Sequence, residues 1–105
     1  MSRLEQMLAF LEQDPNDSFS RYAVALEYMG RREFDAARKY LTELRERDPG
    51  YVATYYQLGQ VYTALENWGA AEESYTAGVA VARGAGDLHA MSELQAALDE
   101  LDTLR

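Results

Sequence analysis

The single histidine of the chain is the first candidate for catalysis or metal binding. His89 precedes Glu93 by four residues, so on a helix the two side chains share one face. Zinc accepts both ligand types, but a protein zinc site needs at least three such side chains. No nucleophile with an oriented base surrounds His89 either. The sequence therefore predicts a surface or partly packed histidine in a non-enzymatic protein, with no catalytic residue, no metal and no cofactor.

The glycine-rich segment Gly84-Ala85-Gly86 is the second candidate, because backbone amides at a helix N-terminus can hold a phosphate. A dinucleotide site also needs a preceding strand and a third glycine, and the sequence predicts neither. We therefore interpret this segment as the end of a helix and the turn that follows it.

Composition narrows the class of protein further. The chain has 105 residues, of which 48% are hydrophobic and 27% charged, as expected of one folded domain. The absence of cysteine excludes a disulfide scaffold and a thiolate zinc site. No apolar stretch is long enough for a membrane span or a signal peptide, so we expect a cytoplasmic protein that binds no membrane.

Acidic side chains are concentrated in the second half of the chain. The net charge is −8; residues 1–47 hold eight basic and nine acidic side chains, and residues 48–105 hold two and nine. Such a surface repels phosphate backbones, so nucleic acid is not an expected partner. Two explanations remain open: a basic partner, or an acidity that serves solubility or adaptation to a salty cytoplasm. Asp99, Glu100 and Asp102 are most simply a solvated face of the last helix.

The spacing of apolar residues is helical throughout, and strand-like alternation is absent. The pattern predicts an all-α fold of about six antiparallel helices, at residues 2–13, 18–30, 34–47, 52–65, 68–83 and 87–104. Boundary residues support this division. A capping box (Ser2 with Glu5) and the N-cap candidates Asp17, Asn67 and Asp87 begin helices, and we expect left-handed residues at the helix ends Gly30 and Gly84.

Positions 34 residues apart carry side chains of the same class and size. The matched pairs are Asp14-Pro15 with Asp48-Pro49, Ala25 with Gly59, Tyr28 with Tyr62, Phe34 with Trp68, Ala37 with Ala71, and Leu41 with Tyr75. The period, the small residues and the aromatic positions resemble tetratricopeptide repeats. This resemblance implies a right-handed superhelix of helix pairs, in which the small residues let helices approach closely and the aromatic residues belong to the core.

We expect one domain over residues 1–105, a small array with both ends covered. Its predicted parts are an N-terminal packing helix (2–15), repeat 1 (16–49), repeat 2 (50–83) and a C-terminal closing helix (84–105). The N-terminal helix should bury Leu4, Met7, Leu8 and Leu11. The closing helix should bury Leu88, Met91, Leu94, Leu98 and Leu101, and it has Glu93 where the repeats have a small residue.

In tetratricopeptide proteins the concave face binds peptides or partner segments, so the resemblance implies a protein-binding scaffold. Members that clamp a chaperone's C-terminal carboxylate use basic residues and asparagine, where this chain has Tyr22, Leu26 and Gln57, so that role is not carried over. We expect capture of an apolar or aromatic peptide or helix; the alternative is self-association, as a homodimer, through the same surface. The expected groove residues are Phe19, Tyr22, Leu26, Met29, Tyr56, Gln57, Gln60 and Met91, with Ala90 and Leu94 beside them. Of these, we expect the two glutamines to bond the backbone of the captured segment.

Overall fold

A computed structural model describes every residue from Met1 to Arg105 and confirms an all-α fold of six helices without strands. The helices are α1 (Arg3–Gln13), α2 (Ser18–Gly30), α3 (Phe34–Arg47), α4 (Ala53–Ala64), α5 (Trp68–Ala85) and α6 (Leu88–Leu104). Each helix packs against the next one in the chain, and α4 also contacts α6. The bounds agree with the predicted ones to within two residues. None of the six helices has the length and apolarity that crossing a membrane requires.

The predicted N-caps are confirmed by hydrogen bonds. The side chains of Asp17, Asn67 and Asp87 each accept a bond from a backbone N–H in the first turn of α2, α5 and α6, at 3.1, 3.3 and 3.0 Å. The hydroxyl of Ser2 accepts from the N–H of Glu5 at 3.1 Å. These bonds satisfy donors that have no partner inside a helix, and they fix where each helix begins.

The prediction of left-handed residues at Gly30 and Gly84 is wrong, because both glycines lie inside helices. The left-handed residues are Arg32, Glu66 and Gly86, with φ of 58°, 58° and 70°. Each directly precedes the N-cap residue of the following helix, so the chain reverses at the last residue available before that helix begins. Two backbone bonds close each turn in the Schellman pattern, for example from Asp87 N to Ala82 O at 2.9 Å and from Gly86 N to Arg83 O at 3.1 Å.

The core is a series of layers between successive helices. The expected small residues Ala25, Ala37, Gly59 and Ala71 are all buried. A methyl group added at Gly59 would overlap the ring of Tyr75, so the glycine sets how closely α4 and α5 approach. The expected core aromatic residues pack, half-buried, against these layers: Tyr28, Phe34, Tyr62 and Trp68.

The two end helices bury apolar stripes against the repeats, with one departure from the prediction. On α1, Leu4 and Leu11 are buried and Met7 and Leu8 partly so. On α6, Leu94 and Leu101 are buried and Met91 and Leu98 pack at the edge of the core. Leu88 was expected in this stripe but is 73% exposed. It lies six residues before Leu94, about 120° away around the helix, and therefore points away from the core.

The turns that follow the two prolines are held by different side chains at equivalent positions. Arg21 is buried, and its guanidinium donates to the carbonyl of Pro15 at 2.6 Å and to Glu43 at 2.8 Å. Tyr55 is 34 residues further along the chain, and its hydroxyl donates to the carbonyl of Pro49. The same task of anchoring a turn to the next helix is thus performed by an ion-paired guanidinium in one unit and by a phenol in the other.

Candidate functional site

A groove of about 340 Å³ opens between α2, α4 and α6, the first helices of successive pairs. One wall consists of an α2 side chain and the beginning of α4, and the other wall is the beginning of α6. The Asp87 N-cap that begins α6 therefore also fixes where the second wall begins. The lining residues are Tyr22, Val52, Ala53, Tyr56 and Gln57 on the first wall, and Asp87, His89, Ala90, Glu93 and Leu94 on the second.

Three of the expected groove residues come together in this groove. Tyr22 and Tyr56 occupy equivalent positions 34 residues apart, so the repeat places them on corresponding faces of α2 and α4. The amide nitrogen of Gln57 donates to the Tyr22 hydroxyl at 3.2 Å. The Tyr22 ring also contacts that of Tyr51, with ring centres 5.6 Å apart. These contacts hold Tyr22 and Gln57 in defined positions.

Gln60 lines a second, smaller hollow of about 120 Å³ further along α4, and Tyr56 borders both hollows. Its amide nitrogen donates to the Tyr75 hydroxyl at 2.8 Å. Burial raises the pKa of Tyr75, which keeps the phenol neutral. Gln57 and Gln60 were expected to bond a peptide backbone, whereas in the structure their amide nitrogens bond tyrosine hydroxyls.

The remaining expected residues line neither hollow. Phe19 is 70% exposed and Leu26 is 38% exposed, both on α2. Met29 and Met91 are half-buried and pack against the core between helices. Of the eight expected groove residues, only Tyr22, Tyr56 and Gln57 line the groove. A role in binding stays a prediction for all eight.

The polar part of the α6 wall was absent from the sequence-based expectation, which included only Ala90, Met91 and Leu94 of this helix. Asp87, His89 and Glu93 line the groove beside Ala90 and Leu94. The available signal was the repeat itself, because Asp87 lies 34 residues after the groove residue Ala53. That signal is weak in α6, which has Glu93 at the position where the repeats have a small residue.

The electrostatic character of the groove is acidic. Two of its ten lining residues are carboxylates, and none is lysine or arginine. The Nε2 atom of His89 lies 3.2 Å from Oε1 of Glu93. No group of three or more His, Cys, Asp or Glu side chains is arranged to hold a metal ion. The chemistry that this groove offers is recognition by apolar, aromatic and anionic contacts.

Known proteins resemble this chain in sequence and in structure. The family model of the tetratricopeptide repeat matches residues 28–98. A TPR repeat-containing protein of Pseudomonas aeruginosa is 28% identical over 97% of this chain and 94% of its own length. The crystal structure of a tetratricopeptide repeat domain protein from Salinibacter ruber is 39% identical, with a TM-score of 0.80, over 85% of this chain and 100% of that one.

The same fold occurs at lower sequence identity in the TPR2B domain of yeast Sti1, whose structure was solved as a complex with pHsp70. The two share 16% identity and a TM-score of 0.92, over 97% of this chain and 82% of that one. Tetratricopeptide domains are generally protein–protein interaction modules. On the match over residues 28–98, this chain belongs to the tetratricopeptide repeat family.

Proposed function

We propose that the chain is a non-enzymatic interaction module that binds a segment of another protein in the groove between α2, α4 and α6. The observation that carries the proposal is the convergence of three helices on one groove whose Tyr22 is already held in place by Gln57 and Tyr51. An aromatic side chain fixed before binding gives contact area without a further loss of conformational entropy.

The groove favours an apolar or aromatic segment over a terminal carboxylate. Apolar and aromatic residues form most of the wall from α2 and α4, and the α6 wall carries Asp87 and Glu93. A ligand carboxylate would lie beside these two carboxylates and would be repelled. The Sti1 domain shares the fold and was solved with pHsp70, but the positions that would hold a carboxylate clamp are Tyr22, Leu26 and Gln57 in this chain.

The test blocks the groove without removing a core side chain. Tyr22 and Tyr56 both pack against the core, so their truncation would change stability as well as the groove. Ala53 is exposed at the first turn of α4 and lines the groove, so Ala53→Trp fills it from the solvent side. Ala80→Trp on α5 is the matched control, because Ala80 is exposed and lines neither hollow.

Wild type and both variants serve as baits in affinity capture from a lysate of the source organism, after their circular dichroism spectra have been matched. We expect a protein that wild type and Ala80→Trp retain and that Ala53→Trp loses. A protein retained equally by all three baits would place binding outside the groove and refute the proposal. Recovery of the bait's own copies alone would replace it with the alternative, a homodimer.

A further inference from the structure

We infer that the segment bound in this groove carries a cationic side chain, arginine or lysine, next to an apolar one. The inference rests on the proposed function and names the chemistry of its partner. The cationic group lies at the α6 wall, which carries Asp87 and Glu93, and the apolar group lies against Tyr22 and Tyr56 on the opposite wall. The partner is therefore a basic, apolar peptide segment.

Acceptor oxygens without a partner in the groove favour a ligand that carries hydrogen-bond donors. The amide nitrogen of Gln57 donates one of its two N–H groups to the Tyr22 hydroxyl, and the carbonyl oxygen of Gln57 remains an acceptor. Only Oδ1 of Asp87 accepts a bond within the chain, from the Ala90 N–H at the helix N-terminus. Only Oε1 of Glu93 lies near His89. Each carboxylate thus keeps one oxygen for an incoming N–H, and guanidinium and ammonium groups consist of donors alone.

Charge complementarity favours a ligand with a positive charge. The groove contains two carboxylates and no lysine or arginine. The surrounding half of the chain, residues 48–105, holds nine acidic and two basic side chains. One of those two, Arg105, already pairs with Glu72 and Asp102 at 3.1 and 2.8 Å. A cationic segment would therefore meet an attractive potential both on approach and inside the groove.

The aromatic wall favours a cation as well as an apolar group. Tyr22 and Tyr56 line the same groove as the carboxylates, and the face of a tyrosine ring attracts a guanidinium or ammonium group. The long aliphatic stem of arginine or lysine also buries apolar area along such a wall while its charged end reaches the carboxylates. The aromatic wall thus binds the stem of an arginine or lysine, and the α6 wall binds its charged end. Neither wall alone would favour these side chains over all others.

The first part of the test is selection from a library of random peptides displayed on phage, with the intact wild-type chain as target. Peptides that also bind Ala53→Trp are removed, so that the recovered ones depend on an open groove. We expect arginine or lysine at one position of the recovered peptides, with an apolar residue beside it. A synthetic copy with citrulline in place of arginine has nearly the same shape without the charge and should bind about fivefold to tenfold more weakly.

The second part removes the charge from the groove without changing its shape. The variant Asp87→Asn with Glu93→Gln keeps an asparagine that can cap α6. It should weaken the arginine peptide by about the same fivefold to tenfold and leave the citrulline peptide unaffected. The matched control is Asp99→Asn with Glu66→Gln, which makes the same change in net charge at exposed positions that line neither hollow.

The outcomes separate this inference from the proposed function. Groove-dependent peptides with no cationic position, or arginine peptides that bind the Asp87→Asn/Glu93→Gln variant as tightly as wild type, would overturn the inference and leave the proposed function standing. A library in which no peptide depends on an open groove would overturn both. Equal weakening by the control variant would assign the effect to net charge rather than to these two carboxylates, and would likewise overturn the inference.

Discussion

Two glycines at the end of α5 provide a sensitive test of the turn that begins α6. Gly84 lies within the helix, and a methyl group added there would meet no atom within 4 Å. Gly86 has φ of 70°, in the left-handed region, and also has open space around it. Substitution by alanine at either position therefore creates no clash, and only the backbone conformation distinguishes the two.

The expected magnitudes have opposite signs. In a helix, glycine is less favourable than alanine by about 0.5–1 kcal/mol, so Gly84→Ala should raise the free energy of unfolding by up to that amount. In a left-handed conformation, an alanine side chain costs about 1–2 kcal/mol, so Gly86→Ala should lower it. The two variants, which differ only in the position of one methyl group, should be separated by about 2 kcal/mol.

Thermal unfolding followed by circular dichroism measures this separation. For a domain of about this size, 1 kcal/mol corresponds to a shift in Tm of about 4–8 °C. We expect Gly84→Ala to melt a few degrees above wild type and Gly86→Ala to melt about 4 °C or more below it. If Gly84→Ala melts below wild type while Gly86→Ala does not, the left-handed residue is Gly84, and our account of how α6 is positioned is wrong.

Three further predictions concern stability. Gly59→Ala should lower Tm, since its methyl group would overlap the ring of Tyr75 and overpacking costs about 1–3 kcal/mol. Thr54→Val should raise the urea midpoint by an amount equivalent to about 1 kcal/mol, because the buried Oγ1 of Thr54 has no hydrogen-bond partner; Thr54→Ser, which keeps the hydroxyl, should bring no gain. Arg45 donates to both carboxylate oxygens of Glu73, at 2.7 and 2.8 Å, and these bonds lower the pKa of Glu73 below its ordinary 4.5. That contribution is present above pH 4.5 and is lost as the pH falls through the lowered pKa, so Glu73→Gln should cost up to about 1 kcal/mol in urea unfolding near pH 7 and progressively less as the pH falls below 4.5.

The helices and their beginnings were predictable because their signals are local. Apolar spacing and a capping residue such as Asp17 or Asp87 lie within a few positions of the structure that they determine. The left-handed positions were less accessible, since Arg32 and Glu66 have no preference for that conformation. The position of each left-handed residue is determined by where the next helix begins, because each directly precedes the N-cap residue of that helix.

Long-range contacts explain what the sequence could not predict about the core and the groove. A pattern of apolar residues places arginine outside, yet Arg21 is buried because Pro15 and Glu43 supply its acceptors from other segments. The 34-residue period led to Tyr22 and Tyr56 as groove candidates, since both belong to the repeats. The polar residues of α6 could not be assigned in the same way, because that helix lacks the signature that defines the register.

The packing of α6, mainly against α5, would link ligand binding to local opening of the chain. This helix contacts α5 and, to a smaller extent, α4, so it can detach while the interior helices stay folded. Its first turns form one wall of the groove, and detachment would therefore leave half of the binding surface behind. A segment held by both walls must suppress that opening, and amide hydrogen exchange should slow in α6 far more than in α3 when the groove is occupied. Binding at this groove would then change the amide exchange rates of α6, even where the average structure does not change.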